Sequence, residues 1–295
     1  MTTAYATGTL LFGLFFALIA AALFTWRQLS RAQRPPVEFK LLRGPGELTL
    51  RQLRRLETRL PATLLVAVLL PILLGFALLL YVPLLVGFAQ FAIAIVGWLG
   101  WGAAVYFIGR YVHQQLQLRR MLALRYVGER AIAEELSPLL TEGFRFFHDV
   151  AIHGADSSVD LDLVIVGPNG VTVLEAETRE REKGPDAHRD HEVTFDGKHL
   201  LWPWGADRGT VASIESETAS FSKWLVQTTG YRITAYPLLT IPGWWVNITG
   251  PGLVNVVNHK QVLHAVTERT EIQLEPEQIE KICRELELHC RDVEA

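Results

Sequence analysis

Two stretches of this chain have no charged side chain at all, and the rest alternates like an ordinary globular protein. No Asp, Glu, Lys or Arg occurs from Met1 to Trp26, or from Pro61 to Ile108. A helix needs ~20 apolar residues to cross the ~30 Å core of a bilayer. Gly8–Trp26 is just long enough for one crossing. Residues 61–108 would extend roughly 72 Å as one helix at 1.5 Å per residue, so this run must fold back. Pro83 and Gly87 are the expected reversal points, giving spans at 61–81 and 86–108, and Pro71 predicts a kink in the first of these two. Between the runs, Leu53, Leu56 and Leu60 share one helical face. That segment reads either as a basic amphipathic helix on the membrane surface or as an extension of the span that follows.

From Met121 onward the periodicities change. Val127, Ala131, Ile132, Leu136 and Leu139 predict a helix over 126–140. Phe144–Ile152 reads as a strand. Val159–Val166 and Val171–Glu177, joined by Gly167-Pro168-Asn169-Gly170, predict a hairpin. Val193–Phe195 and Lys198–Trp202 predict a second one, with Asp196-Gly197 supplying the turn's positive φ. A helix over 213–228, short strands at 237–241 and 253–258, a short helix at 260–267 and a closing amphipathic helix at 275–289 complete the series. This order indicates an α/β class with a mixed β-sheet flanked by helices.

Charge sharpens the division. Twelve of the 28 Lys and Arg precede Met121 but only three of the 31 Asp and Glu do, so the first part is +9 and the remainder −12. Arg27, Arg31 and Arg34 follow the first apolar run and no basic residue precedes it, which is the reverse of a secretory signal. Nine basic residues lie between Arg27 and Arg59, and Arg110, Arg119 and Arg120 follow the last run. Both flanks are expected in the cytosol, so the N-terminus is expected outside and the C-terminal domain inside. A multi-pass protein of the inner (cell) membrane, with the lipid bilayer as partner, is the expected setting. The spans contain no Asp, Glu, Lys or Arg, which argues against a transport path. Cys283 and Cys290 are too few for a disulfide framework and match no zinc spacing.

The chemistry sits in the first hairpin. Glu175 and Glu177 share a face of one strand, and Asp162 approaches Glu175 from the other. Carboxylates gathered among apolar residues repel one another, and a divalent cation relieves that repulsion. Mg²⁺, with Mn²⁺ as an alternative, suits one or two carboxylates plus water. Several neighbours invite weaker readings. Asp160 is expected to face solvent. Glu177 could instead open a charged loop, neutralised by Arg179 and Arg181. His188 and His191 are loop histidines, expected to be solvated rather than ligating. Trp202, Trp204, Trp244 and Trp245 are expected in core or rim packing, with a base-stacking platform as the alternative.

Gly128-Glu129, the block from Asp162 to Glu175 (Asp-Leu-Val-Ile-Val-Gly-Pro-Asn-Gly-Val-Thr-Val-Leu-Glu) and Pro237–Trp245 (Pro-Leu-Leu-Thr-Ile-Pro-Gly-Trp-Trp) resemble the nuclease-related domain (NERD) family. That family is a branch of the PD-(D/E)xK nuclease superfamily, and the resemblance covers roughly Tyr126–Thr267. It implies a restriction-endonuclease-like fold with Glu129, Asp162, Glu175 and Glu177 at the catalytic positions, and with Asp162 and Glu175 holding the metal. Two positions depart from the pattern. Glu177 stands where the family has Lys, and Glu217 where it usually has Gln. Some restriction enzymes of the superfamily carry Glu at the first of these, and Lys260 is a candidate replacement cation.

The expected layout follows. It places a transmembrane helix at 1–26, a basic cytosolic loop with an amphipathic helix at 27–60 and a transmembrane hairpin at 61–109. A cytosolic linker at 110–125, the nuclease-related domain at 126–274 and a C-terminal helix at 275–295 complete it. The expected function is divalent-metal-dependent phosphodiester hydrolysis on DNA or RNA. The alternatives are a degenerate domain that binds a protein partner at the membrane, or a sensor of anionic lipid through the basic segment.

Overall fold

The computed structural model describes residues 25, 40–81, 88–153, 158–181, 190–268 and 272–294. The span expected at Gly8–Trp26 (Thr25 apart), the reversal at Pro83 and Gly87, and His188 lie outside these residues. The described residues fall into two compact units, one containing 54–117 and the other containing 40–53 with 118–294.

In the first unit, parts of two long helices pack together. They are α1 (Glu47–Tyr81) and α2 (Phe88–Leu136). Among the described residues these two are long and apolar enough to cross a membrane. The charge-free part of α1, Pro61–Tyr81, is about 31 Å long at 1.5 Å per residue. Large apolar side chains point away from the protein, including Val68, Leu79, Phe91, Val96, Leu99 and Phe107. Burial within the unit therefore does not account for their hydrophobicity. Small residues and one indole set the helix contact. Gly75 faces Trp101, Gly97 faces Leu78, and Trp101 Nε1 donates to the Pro71 carbonyl at 2.7 Å. The residue that removes a helix hydrogen bond thus supplies an acceptor to its neighbour.

Both helices run further than the sequence pattern suggests. The leucines at 53, 56 and 60 belong to α1 itself, so this segment extends the following apolar stretch. Residues 110–125, expected as a linker, are helical throughout and continue into the helix expected at 126–140. Nothing in that stretch breaks a helix, since it has no Pro and no Gly.

In the second unit, β1 (Lys40–Leu42) precedes α1. A 3₁₀ turn (Ser137–Glu142) follows α2, with Gly143 in the left-handed conformation at its end. Then come β2 (Arg145–His153), β3 (Ser158–Gly167), β4 (Gly170–Ala176), β5 (Glu192–Phe195), β6 (Leu200–Trp202) and β7 (Gly205–Asp207). Helix α3 (Thr210–Thr229), β8 (Tyr236–Thr240), β9 (Trp245–Ile248), β10 (Asn255–Val257), α4 (Val262–Thr267), α5 (Pro276–Cys290) and β11 (Arg291–Glu294) follow.

The main sheet has the order β10-β8-β4-β3-β2 and is mixed: β10, β8 and β4 are parallel, while β4, β3 and β2 are antiparallel. A smaller sheet has the order β7-β6-β5-β9, and β1 pairs with β11. Helices cover both faces of the main sheet. Phe221 and Leu225 of α3 with Ile282 and Leu286 of α5 pack on one face. Ile132 and Leu136 of α2 with Val262 and Val266 of α4 pack on the other. Both expected hairpins form, β3–β4 around Pro168-Asn169 and β5–β6 around Asp196-Gly197. The Leu136 side chain is fully buried. Leu136→Ala should therefore destabilise the domain by about 2–5 kcal/mol, read as a lowered unfolding midpoint of the full chain in detergent.

Candidate functional site

The site begins where the main sheet splits. The β3–β4 backbone ladder runs from Gly167↔Gly170 to Leu163↔Leu174 and stops. Beyond that point β3 continues beside β2, as far as His153↔Ser158. β4 continues instead beside β8, through Glu175↔Leu239 and Ala176↔Thr240. Asp162 and Glu175 are the next pair in register, at the mouth of this fork. Their side chains take over the missing backbone bonds. The Asp162 N–H donates to Glu175 Oε1 at 3.2 Å, and the Ala176 N–H donates to Asp162 Oδ2 at 3.0 Å. The structure thus brings together the two residues expected to face each other across the hairpin.

Helix α2 supplies the next pair. Arg125 and Glu129 are one turn apart, and Arg125 Nε donates to Glu129 Oε1 at 2.7 Å. The same guanidinium reaches Asp162 through Nη2 and Oδ1. Thr49 of α1 donates to Glu129 Oε1 at 3.1 Å. Glu129 Oε2 is buried and has no hydrogen-bond partner among the described residues. Two glycines explain how the helix comes so close. A Cβ on Gly128 would lie 2.3 Å from Thr178 Cγ2, just past the end of β4. A Cβ on Gly46, at φ 68°, would lie 2.9 Å from Glu129 Oε2. The Gly128-Glu129 pair therefore has a steric reason: the glycine admits the strand end and the glutamate follows it into the site.

Asp149 of β2 joins the group, and its position was not evident in the sequence. It falls opposite Asp162, between His148↔Leu163 and Val150↔Leu161. It adopts φ 52°, rare for a side-chain-bearing residue. Arg43 and the first turn of α1 hold it there. The Leu48 N–H donates to Asp149 Oδ2 at 3.1 Å, and Arg43 Nη1 donates to the Asp149 carbonyl.

Glu177 sits apart from this cluster in its bonding. Arg179 Nε binds Glu177 Oε1 at 2.5 Å, and Arg179 Nη2 binds Asp207 Oδ2 at 2.7 Å. The guanidinium lies 5.4 Å from the centre of the Trp202 ring. Asp207 in turn accepts from the Gly209 and Thr210 N–H groups at the start of α3. Of the two arginines expected to neutralise Glu177, Arg179 does so and Arg181 binds Asp190 instead. His191 also lies against Asp190, at 3.7 Å. Lys260 is exposed in the turn after β10, and its backbone N–H closes on Asn258 Oδ1. Among the described residues, the cation paired with Glu129 and Asp162 is Arg125. Trp202 and Trp244 are buried and meet edge to face, Trp204 stacks on Trp202, and Trp245 is exposed. Asp160 is exposed.

The acids strain one another electrostatically. Burial, then the Asp162 charge, push Glu175 well above the usual carboxylate range, and Glu217 of α3 adds to it. Burial and Asp162 push Glu129 up to about 7 despite Arg125. Burial also raises Asp149 and Glu177, the latter against the pull of Arg179. Paired hard oxygens under such repulsion suit a divalent cation. Among the described residues no three or more His, Cys, Asp or Glu form a closed metal cage. Two carboxylates placed like Asp162 and Glu175 could hold an ion only if it kept several waters, as Mg²⁺ does.

Two outcomes follow. The pKa of Glu129 is higher folded than unfolded, so its favourable contribution is complete below about pH 4.5 and is lost as pH rises through about 7. Thermal melts of Glu129→Gln should lack that loss, gaining up to about 3 kcal/mol on the wild type between pH 5 and pH 8. Arg179→Ala should cost about 1 kcal/mol, because the guanidinium is partly exposed, and should shift tryptophan emission through loss of its contact with Trp202.

The nuclease-related domain (NERD) family model matches residues 124–240. No curated protein and no solved structure matches the chain. The matched stretch contains Arg125, Glu129, Asp149, Asp162, Glu175 and Glu177 and excludes Thr49. The part of the chain that builds the fork is therefore similar to a nuclease-related domain.

Proposed function

We propose that residues 124–240, completed by residues 40–53, form a divalent-metal-dependent phosphodiester hydrolase acting on DNA or RNA. We further propose that the apolar helices anchor it in the inner (cell) membrane with this domain on the cytosolic side. The supporting observation is the Asp162–Glu175 pair at the fork, within the stretch similar to a nuclease-related domain. In this reading Asp162 and Glu175 hold Mg²⁺ or Mn²⁺, which would supply Lewis-acid stabilisation of the phosphodiester and activation of water. The Asp162 N–H and the Ala176 N–H fix the two carboxylates in place. Glu129, titrating near neutrality, holds or releases a proton at Oε2. Glu177 stands in a Glu-x-Glu rather than a Glu-x-Lys arrangement, and Arg179 ties it to Asp207. Its part is to anchor the strand end to α3 rather than to attack.

A second reading has its own support. Both Asp162 oxygens already have partners, and Glu177 is locked in an ion pair. A domain so neutralised suits a catalytically silent binding module that recruits a protein partner to the membrane.

Full-length protein in detergent, with Mg²⁺ or Mn²⁺ and single- or double-stranded DNA and RNA, separates the two. The hydrolase reading expects cleavage by the wild type and a loss of about 10²-fold or more in Asp162→Asn and Glu175→Gln. Cleavage that survives both substitutions would refute the site. No cleavage of any of the four substrates would favour the binding module.

A further inference from the structure

We infer that Arg125 is the resident cation of the fork and that a divalent ion binds there only by displacing it from Asp162. This rests on the reading that Asp162 and Glu175 hold the ion.

Asp162 has two carboxylate oxygens, and each has a partner. Oδ2 accepts from the Ala176 N–H, a bond that belongs to the sheet and stands in for the missing ladder. Oδ1 accepts from Arg125 Nη2. An incoming ion that ligates Asp162 must therefore share an oxygen either with a backbone bond built into the fold or with a positively charged side chain, and the side chain yields at lower cost. Arg125 is partly exposed, at 45 % of its side-chain surface, against 10 % for Asp162 and 8 % for Glu129. It enters from the solvent side of acids that are themselves buried, as a removable group must. Its second anchor is separate, because Nε stays on Glu129 Oε1 one helical turn away. The guanidinium can swing off Asp162 and keep that bond.

The other charged groups around it fit the same account. Asp149 lies on β2 opposite Asp162 and is held by the Leu48 N–H and by Arg43, and Glu217 of α3 accepts from Ser213. Arg43 donates to the Asp149 carbonyl, and its charge acts on the Asp149 carboxyl. Glu177 already has Arg179. Arg125 is thus the cation bonded to Asp162, and two positive charges on one oxygen repel. Ion and arginine are mutually exclusive ligands, so each weakens the other by the same factor.

Mn²⁺ binding to the full-length protein in detergent, followed by calorimetry and by the loss of the free-ion electron-spin signal, tests this. Arg125→Gln should bind Mn²⁺ about ten-fold tighter than the wild type, within the usual range for coupled ligands. Arg125→Lys keeps the charge but cannot span Glu129 and Asp162 together, so it should fall between the two. It decides the matter if the glutamine variant does not fold. Asp162→Asn should abolish binding and so locate the ion. Wild-type affinity, or weaker, in folded Arg125 variants, with binding still lost in Asp162→Asn, would overturn the displacement and leave the metal reading intact. Absence of Mn²⁺ binding in every variant would overturn both.

Discussion

A β-ladder that stops short sets the geometry of this domain. β3 and β4 share five residue pairs and then part, each keeping its outer neighbour. Separating strands leave backbone donors without partners, and buried donors must be satisfied. Here carboxylates satisfy them. The acids at the fork are therefore structural acceptors as well as chemical groups, and the sheet cannot close over them without losing those bonds. The cost of gathering carboxylates is offset by Arg125, and by Arg179 a short way along the chain.

The fork is also braced from outside the matched stretch. Thr49, Gly46, Leu48 and Arg43 precede the long apolar run in sequence but belong with the sheet in space. They reach Glu129 and Asp149, the two acids that are not part of the hairpin. A basic segment that reads either as a membrane-surface helix or as an extension of the span after it supplies contacts to Glu129 and Asp149. Arg43 has a carbonyl of β2 as its partner and Arg51 has Glu47.

What could be read from the sequence follows the range of the interactions involved. Both hairpins were legible because Gly167-Pro168-Asn169-Gly170 and Asp196-Gly197 are turns that constrain φ locally. The pairing of Asp162 with Glu175 was legible for the same reason, since a tight turn fixes register. Glu129 came only through resemblance, and the reason for its neighbour Gly128 became clear only when Thr178 was seen against it. Arg125 could have been noticed as a helical i,i+4 partner of Glu129, but its bond to Asp162 spans 37 residues and has no local signal. Asp149 was hidden by its unusual φ. The short strands β1, β7, β9 and β11 were missed because three or four residues hold too little alternation to stand out, and their pairing partners make them strands. The helices were misjudged in length rather than in kind. Charge marked where the apolar part ended, but helix geometry does not stop where charge begins.

β1 pairs with β11, and Arg43 N–H reaches the Cys290 carbonyl, so residues about 250 apart in the chain meet. Between them, residues 54–117 are in effect an insertion into one folded body made of residues 40–53 and 118–294. Closing so long a loop costs little more than closing a shorter one. It does impose an order in time. During synthesis the early strand waits for its partner until nearly all of the described chain has emerged. A newly made chain would therefore have β2, β3 and β4 at hand to pair with one another well before β1 can meet β11.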